Sequence, residues 1–554
     1  MANYFNTINI GLRALQTQKK SLDVTSHNIA NANTEGYSRQ RAVHATTDPH
    51  TVPGFGMPEG AGQVGTGVEV SDISRIKDQF IEGQIWEKKQ SQGYWDRQYD
   101  GLHRIEQVFN EPSENSLSSS MDKFWQSLED LSNNPEDSAV RATVKERGNA
   151  LVDTFHSLED QLSDYKASLN RDVNTTVEEI NSLGKRIADL NGQIAHIKGT
   201  GNNPNDLMDT RDKLIEELNE KVNVRTRETD RGYINISIGG MTFVSGDKRN
   251  NLITEMDASN PDEEIIKFEE LDRQADINNG ELASLLDLRG VGGEGVLPEY
   301  MDELDNMAKT FAEHFNGIHQ KGYDLNGDFG QEFFVSDDGG DITADSIVVE
   351  GSIDDDPAKI AAGSLSDTQD VLEAEVSDAN NYDENEEYFV ELDKATDSYT
   401  VIDSTGNIIA NDTIPASKEI DLSTEIGMTF SVNDYGSAVV GKGAGSGGNA
   451  LNLANTIKSD KLDFSGDGNA DSTVMDKYES IISSLGVEGQ RADQMVNNQE
   501  TLVNQLENQR QSISGVSLDE EMANMVKYQQ AYNAAAKLIR NSDQMLDSLM
   551  SILR

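Results

Sequence analysis

The sequence predicts a mainly α protein with inserted β structure: an elongated, multidomain chain with a helical-bundle middle domain and an acidic β-rich outer domain. Its N- and C-terminal helices are expected to pair as a coiled coil. Apolar residues recur every three or four positions near both ends and through the middle, which places them on one face of a helix. The chain has 554 residues yet is only 36% hydrophobic, and its mean hydropathy is -0.59. These values are low for a compact enzyme and typical of helix-rich chains with much surface per residue.

The charge is large and unevenly distributed. The formal net charge of -52 argues against nucleic acid as a partner and against anionic membranes, because both attract basic proteins. Residues 333–435 hold 26 acidic side chains and three lysines, whereas residues 1–46 hold five basic and two acidic ones. The middle region is therefore expected to be solvated, and the ends are expected to pack.

Several classes of site and segment are excluded by composition. There is no cysteine, which excludes disulfides, thiolate metal sites and cysteine nucleophiles. No apolar run approaches the roughly 18 residues of a membrane span, and the N-terminus lacks the pattern of a cleavable signal peptide. We therefore expect no membrane insertion, and an export route without a cleaved signal peptide.

The first predicted helix carries one apolar stripe. Six of its eight stripe positions are apolar, which is typical of a heptad helix that needs a partner. Asn31, Asn33 and Gly36 are expected to end it, because Asn and Gly accept the left-handed backbone of a helix C-terminus. The stripe residues are Phe5, Ile8, Leu12, Leu15, Leu22 and Ile29.

The middle of the chain alternates between helical and strand patterns. Apolar spacing predicts a long helix over about 140–197, and period-two alternation around Gly239 and Gly240 predicts a β-hairpin. The glycine-rich stretch 436–448 is interpreted as a flexible connector. The predicted segments are an N-terminal axial helix (1–46), an outgoing helical shaft (47–222), a small β element (223–275), a helical return segment (276–330), the acidic β-rich outer domain (331–438), a returning helical shaft (439–514) and a C-terminal axial helix (515–554).

The last predicted helix also has a single stripe, apolar at nine of eleven positions. Ser517 and Glu520 at its start have the spacing of a capping box. Because an isolated helix is marginal in water, the two terminal helices are expected to pair. The stripe residues are Leu518, Met522, Met525, Tyr532, Ala536, Ile539, Leu546, Met550 and Leu553.

Signals for catalysis or ion binding are weak. The eight histidines are scattered, and the chain has no zincin motif, no P-loop and no nucleophile elbow. Two Asp-rich turns, 463–471 and 324–328, are better explained as Asx turns than as calcium loops, since Val474 and Phe329 stand where a ligand and a sharp-turn glycine belong. We expect no enzyme activity, no catalytic, cofactor-binding or metal site, and no cofactor.

Motifs near both ends resemble those of the bacterial flagellar axial proteins. The sequence NIANANTEGYSRQ at 28–40 and the stretch from Ser514 to Ile539 carry this resemblance. Within that group, the YSRQ ending at 37–40, the run at 206–224 beginning DLMDTRDKL and FNGIHQKGYDLNG at 315–327 are similar to the hook-associated proteins. One departure is Glu35, where the family more often has proline.

The resemblance implies a structural role outside the cell. It implies a protein exported through the flagellar type III apparatus that forms the junction ring between hook and filament by self-assembly of its terminal helices, with the two apolar stripes above as the axial assembly interface. The implied partners are itself in the ring, the hook protein on one side, the second junction protein on the other, the filament cap during assembly and an export chaperone that binds the C-terminal helix. The alternatives are another axial protein, namely hook, rod or flagellin, or an adhesin displayed through the acidic domain.

Overall fold

The computed structural model consists of two compact units, each built from separated parts of the chain. The first unit comprises Met1–Tyr99, Asn170–Asp287 and Arg491–Arg554, and the second comprises Asp100–Leu169 and Leu288–Gln490. The described residues are 2–48, 65–111, 113–114, 116–256, 264–364, 371–377, 381–382, 386, 388–403, 405–441, 446–466 and 468–552.

Helices dominate the chain, as predicted. They are α1 (Ala2–Ala30), α2 (Gln79–Phe109), α3 (Leu117–Asn133), α4 (Ser138–Gly199), α5 (Asn205–Lys221), α6 (Glu281–Arg289), α7 (Val296–His319), α8 (Gly351–Asp355), α9 (Gly448–Lys458), α10 (Val474–Ser514) and α11 (Leu518–Ile552). The long helix expected over 140–197 is confirmed as α4, and the predicted stop after α1 is confirmed, with Gly36 in the left-handed region at φ 79°. Helices α2, α4, α6 and α10 each contribute residues to both units.

The strands form small antiparallel sheets. They are β1 (Gln40–Thr46), β2 (Val68–Arg75), β3 (Val224–Glu228), β4 (Ile234–Ile238), β5 (Met241–Ser245), β6 (Lys248–Arg249), β7 (Leu252–Met256), β8 (Glu264–Phe268), β9 (Arg273–Gln274), β10 (Phe334–Ser336), β11 (Ile347–Val349), β12 (Leu372–Val376), β13 (Tyr388–Asp393), β14 (Ser398–Asp403), β15 (Ile408–Thr413), β16 (Glu419–Leu422), β17 (Met428–Val432) and β18 (Gly436–Val440). The sheet orders are β1-β2, β3-β4-β5-β6, β7-β8-β9, β10-β11, β12-β17-β16 and β15-β14-β13-β18.

In the first unit, α5 is held by a fully buried arginine. One terminal nitrogen of Arg211 donates to Asn191 Oδ1 of α4 at 3.0 Å and to the Gly232 carbonyl at 2.7 Å. The predicted hairpin at Gly239 and Gly240 is confirmed between β4 and β5, and both glycines have positive φ, as this turn requires. A buried cation bonded to a helix and a loop fixes α5 against α4 and the small β element.

In the second unit, the motif at 315–327 has a structural role. Asn316 Oδ1 accepts from the Phe333 and Phe334 amides at 2.8 and 3.0 Å. These bonds hold the segment at 333–334 against α7. His319 is fully buried, donates from Nδ1 to the Gln331 carbonyl and accepts at Nε2 from the Ala361 amide. Burial lowers the pKa of His319 to about 4, so this ring is neutral at physiological pH.

The region predicted as an acidic β domain contains two facing sheets around one apolar core, which includes Val390, Phe430 and Val440. One expectation is corrected here: the start of the stretch interpreted as a flexible connector is strand β18, which pairs with β13. Ala438 and Val440 alternate into the core, and this burial outweighs the flexibility that the glycines allow. Residues 442–445 of that stretch lie outside the described residues.

The two Asp-rich segments are Asx turns. The Asp463 carboxylate accepts from the backbone amides of Ser465, Gly466 and Gly468, and Asp324 accepts from those of Asn326 and Asp328. Within the described ranges, no group of three or more His, Asp or Glu is placed to hold a metal ion. Nor does any helix of the described part have the length and apolarity needed to cross a membrane.

Candidate functional site

The two terminal helices pair, but through side chains that the apolar pattern did not indicate. α1 lies along α11 and also packs against the β1–β2 hairpin. The buried positions of both helices are small or polar, and large apolar side chains are not among them in the described part of either helix. They are Gly11, Thr17, Ser21, Thr25 and Asn28 in α1, and Glu521, Ala535 and Ser542 in α11.

The buried face is displaced by one residue from the predicted stripe. Ser21 and Asn28 are buried one position before Leu22 and Ile29, and Glu521 is buried one position before Met522. One residue rotates a helix by about 100°, so the apolar stripe lies to the side of the inward face. The pairing is therefore observed, with small and polar residues at its most buried positions and the predicted stripe residues half-buried or exposed beside them.

The predicted stripe residues are exposed or half-buried where they are described. Leu12, Leu518, Met522 and Met550 are 46%, 47%, 52% and 65% exposed. The half-buried members are Ile8, Leu15, Leu22, Ile29, Met525, Tyr532, Ala536, Ile539 and Leu546. The Phe5 side chain and Leu553 lie outside the described residues. Together these side chains leave a discontinuous apolar surface along both helices.

At Gly11 the two helices are in close contact. A Cβ atom at this position would lie 2.7 Å from Ile539 Cγ1 and 3.1 Å from Leu538 Cδ2. The close approach therefore depends on the missing side chain. Since Gly11 has helical backbone, space rather than conformation requires the glycine.

We expect Gly11→Leu to loosen the helix pair. Overpacking of a filled contact costs about 1–3 kcal/mol, and the cost should appear as lower hydrogen-exchange protection of α11 in the monomer. Ile539→Ala, which removes the nearest side-chain carbons, should restore part of the protection in the double variant. Equal protection in Gly11→Leu and the unaltered chain would contradict the close packing.

Asn28, the first residue of the NIANANTEGYSRQ motif, joins the end of α1 to the chain that follows it. Its Oδ1 accepts from the Gln40 amide at 2.9 Å and from the Tyr37 hydroxyl at 2.7 Å. Its Nδ2 donates to the Gln40 carbonyl at 2.9 Å and to Glu521 Oε2 of α11 at 3.2 Å. A single buried carboxamide therefore closes the loop 31–39 and contacts the C-terminal helix.

Arg39 ties the same loop to α11. Its Nε donates to the buried Glu521 carboxylate at 2.7 Å, and its terminal nitrogens contact both Glu520 oxygens at 2.9 and 3.0 Å. The hydrogen bond with Glu520 raises the pKa of Arg39, and the same bond lowers the pKa of Glu520. The carboxylate of Glu520, which the sequence assigned to a capping box with Ser517, thus binds Arg39 with both oxygens.

Carboxylates of α5 accept hydrogen bonds from the last residues of the motif at 28–40. Asp209 Oδ2 accepts from the Ser38 amide at 3.0 Å, and Asp206 Oδ1 accepts from Gln40 Nε2 at 2.8 Å. Asp206, Asp209 and Asp212 are spaced by three residues, which places them along one face of the helix. The motifs at 28–40, 206–224 and 514–539 therefore converge on one polar cluster, which we call the junction cluster.

A buried charge network continues the junction cluster. Arg75 at the end of β2 contacts Asp209 at 2.7 Å and Asp212 at 2.8 Å, and Lys77 contacts Asp212 at 2.7 Å. Burial disfavours the Asp212 carboxylate, but Lys77 and Arg75 hold its pKa below the usual range. Burial likewise disfavours the Arg75 charge, yet Asp212 and Asp209 raise its pKa. Asp212 and Arg75 therefore both carry their charge at neutral pH.

Sequence reasoning missed most members of the junction cluster as interacting residues. The sequence did contain a signal for the cluster, because the three motifs that form it, far apart in the chain, each resembled a motif of the flagellar family. The partners could not be deduced, since Asn28 and Glu521 are 493 residues apart. The polar motif at 28–40, directly after the apolar stripe of α1, is the feature that could have indicated such a cluster.

Comparisons with known proteins match the whole chain. Family models match at residues 102–334 (flagellar hook-associated protein FlgK helical domain), 8–37 (flagella basal body rod protein) and 507–552 (flagellar basal body rod FlgEFG protein C-terminal). The terminal matches coincide with the paired helices α1 and α11.

Relatives of full length are also found. Flagellar hook-associated protein 1 of Bacillus subtilis is 32% identical over 576 residues, covering 100% of this chain and 99% of the relative. The protein of the same name from Escherichia coli is 28% identical, and coverage is 100% of both. A solved structure described as the flagellar hook junction protein FlgK from Burkholderia pseudomallei aligns with a TM-score of 0.58 at 16% identity, covering 78% of this chain and 100% of that one. At this identity the structural likeness supports the fold alone.

Proposed function

Because the chain belongs to the family of flagellar hook-associated protein 1, structural axial proteins of the bacterial flagellum, we propose that it forms the junction between hook and filament by self-assembly of its paired terminal helices. The observation that carries the mechanism is the apolar surface that α1 and α11 leave exposed after pairing. Such a surface is unfavourable in a lone subunit and becomes favourable when neighbours cover it.

The displaced stripe supports an assembly role for the predicted residues. The most buried positions of the pair are small or polar, while large side chains such as Leu12, Met522 and Met550 are exposed and available to other subunits. Each large apolar side chain that becomes buried contributes about 1.5–3 kcal/mol, so a few per subunit suffice to order neighbouring helices. The apolar stripes are therefore the proposed axial interface.

The junction cluster supplies the geometry of this assembly. Asn28 and Arg39 bind Glu521 of α11, and the Ser38 amide of the same loop binds Asp209 of α5, so the helix pair is presented in one orientation. A fixed orientation reduces the ordering cost when subunits associate. We infer that the cluster aligns the stripe with neighbouring subunits in the ring.

The proposal includes the wider assembly. The protein is a flagellar axial component outside the cell, and we propose that it is exported without a cleaved signal peptide and contacts the hook protein on one side and the second junction protein on the other. The filament cap during assembly and an export chaperone on the C-terminal helix complete the proposed partners. A structural role without catalysis accords with its relatives, which are flagellar structural proteins.

A charge placed on the stripe should block assembly without unfolding the monomer. We expect Met522→Glu and Leu12→Glu to change the monomer melting temperature little, because both positions are exposed and surface substitutions usually change stability by less than about 0.5 kcal/mol. Cells that carry only such a variant should make hooks without attached filaments, as counted by electron microscopy, and should not swim.

The matched control is Gln530→Glu, which adds the same charge to α11 at an exposed position about 80° around the helix from Met522. It should retain filaments. Normal filament numbers in Met522→Glu and Leu12→Glu, with each variant secreted at normal levels, would contradict an assembly role for the stripe.

A further inference from the structure

A polar cleft in the first unit has no role in the helix pair. It has a volume of about 690 Å³ and lies beside α2, the C-terminal end of α5, the start of β3 and the turn of the β4–β5 hairpin. Its lining includes Trp86, Glu87, Gln90, Arg225 and Asn278. Clefts that hold small ligands usually measure about 300–1,000 Å³, so the volume suits a ligand of several rings or residues.

The cleft offers both donors and acceptors that the fold leaves unused. The side chains of Glu87, Arg225 and Asn278 have no hydrogen-bond or ion-pair partner within the described residues. Gln90 uses its Nε2 to donate to Asn219 Oδ1 and the Val224 carbonyl, which leaves its Oε1 to accept. A carboxylate, a guanidinium and carboxamides can together satisfy a ligand whose groups both donate and accept.

One wall of the cleft is aromatic and is formed by Trp86. Trp86 is half-buried, and its indole N–H is buried without an acceptor in the described part of the chain. The indole also supplies an apolar, polarisable surface beside the polar groups.

Two glycines leave space in the cleft. A Cβ atom on Gly240 or on Gly83 would meet no atom within 4 Å, so the cleft is not filled by neighbouring side chains at these points. Gly239, by contrast, lies so close to Asp276 that a Cβ atom would be 2.5 Å from the Asp276 carbonyl oxygen. The hairpin turn is thereby fixed against the rim of the cleft.

We propose that this cleft is a binding site for a neutral saccharide. Sugar hydroxyls donate and accept at the same atom, which matches the mixture of carboxamide, carboxylate and guanidinium groups. The apolar face of a pyranose ring matches the aromatic wall formed by Trp86. The lining has a net negative charge, because it contains the carboxylates of Glu87 and Asp276 and one guanidinium, that of Arg225. This charge disfavours an anionic ligand such as a phosphate or a nucleotide.

The test is a titration of the full-length monomer with two probes, chitotriose and maltotriose, followed by amide and indole NMR shifts and by calorimetry. We expect saturable binding of at least one probe, with a shift of the Trp86 indole resonance. Asn278→Ala and Glu87→Gln should each weaken binding about three- to tenfold, the effect of losing one hydrogen bond. The two probes separate recognition of an acetamido group from recognition of hydroxyls alone.

Asn533→Ala is the matched control, because it removes an exposed carboxamide from α11 outside the cleft and should leave the affinity unchanged. Melting curves of all variants establish that they remain folded, which is expected since the altered side chains have no partners in the described fold. Binding of neither probe, or binding that the cleft variants do not weaken, would overturn the proposal. Cleft resonances that shift with protein concentration alone would also overturn it, because they would show that a second copy fills the cleft.

Discussion

Asn28→Ala is expected to release the C-terminal helix from the rest of the first unit. The substitution removes four hydrogen bonds and leaves the buried amide and carbonyl of Gln40 without their partner. At about 1–3 kcal/mol for each buried group left unpaired, the loss of stability should be roughly 2–6 kcal/mol. Hydrogen exchange followed by mass spectrometry should show α11 and residues 37–40 losing protection.

The same motif provides the control. Asn33→Ala removes an exposed asparagine from NIANANTEGYSRQ, and the Asn33 side chain makes no hydrogen bond in the described residues. It should leave the exchange pattern and the melting temperature unchanged. Equal protection of α11 in the Asn28 and Asn33 variants would show that the junction cluster does not hold the helix.

Asp212→Asn should destabilise the first unit in a pH-dependent manner. The buried carboxylate neutralises Arg75 and Lys77, and the amide cannot. We expect a loss of about 3 kcal/mol at neutral pH, the lower end of the range for breaking a buried pair, because Arg75 keeps Asp209 and Lys77 keeps Glu82. The exchange protection of β2 and α5 and the free energy of unfolding in urea would measure it.

The pH dependence follows from the direction of the Asp212 shift. Its pKa is lower in the folded protein than the value of about 3.9 in an unfolded chain. Its contribution is therefore complete well above that value and is lost as the pH falls through the folded pKa. The difference in stability between the unaltered chain and Asp212→Asn should thus be constant near neutrality and shrink in acid.

Asp206→Asn is the control, because it also removes one negative charge from α5 but leaves the contacts of Asp212 with Arg75 and Lys77 intact. Asp206 lies on the same helix, outside the contacts of Arg75 and Lys77. Its side chain is 64% exposed and accepts from Gln40 Nε2, which an asparagine oxygen can also do, so its substitution should cost less than about 1 kcal/mol. A difference between the unaltered chain and Asp212→Asn that grows as the pH falls would contradict the assigned role of the carboxylate.

The sequence by itself determined the helices and several turns, because the interactions that form them are local. The spacing of Phe155, Leu162 and Ile180 defined α4, and the Gly239–Gly240 pair defined a hairpin, within a few residues of each element. The motif resemblance also indicated the family before any fold was known. The β18 strand was missed, since it pairs with β13 residues that lie 44 to 52 positions earlier, and its own glycines do not indicate this pairing.

Only the tertiary structure decided which face of each terminal helix is buried. An apolar stripe predicts that one face of a helix becomes buried. It does not indicate whether the partner helix or another molecule buries that face. The close approach at Gly11 and the hydrogen bonds of Asn28 and Glu521 favour small and polar residues on the inward face. The fully buried positions are therefore one residue away from the stripe. The stripe is half-buried or exposed, and its exposed members, such as Leu12, Met522 and Met550, are available for contacts outside the monomer.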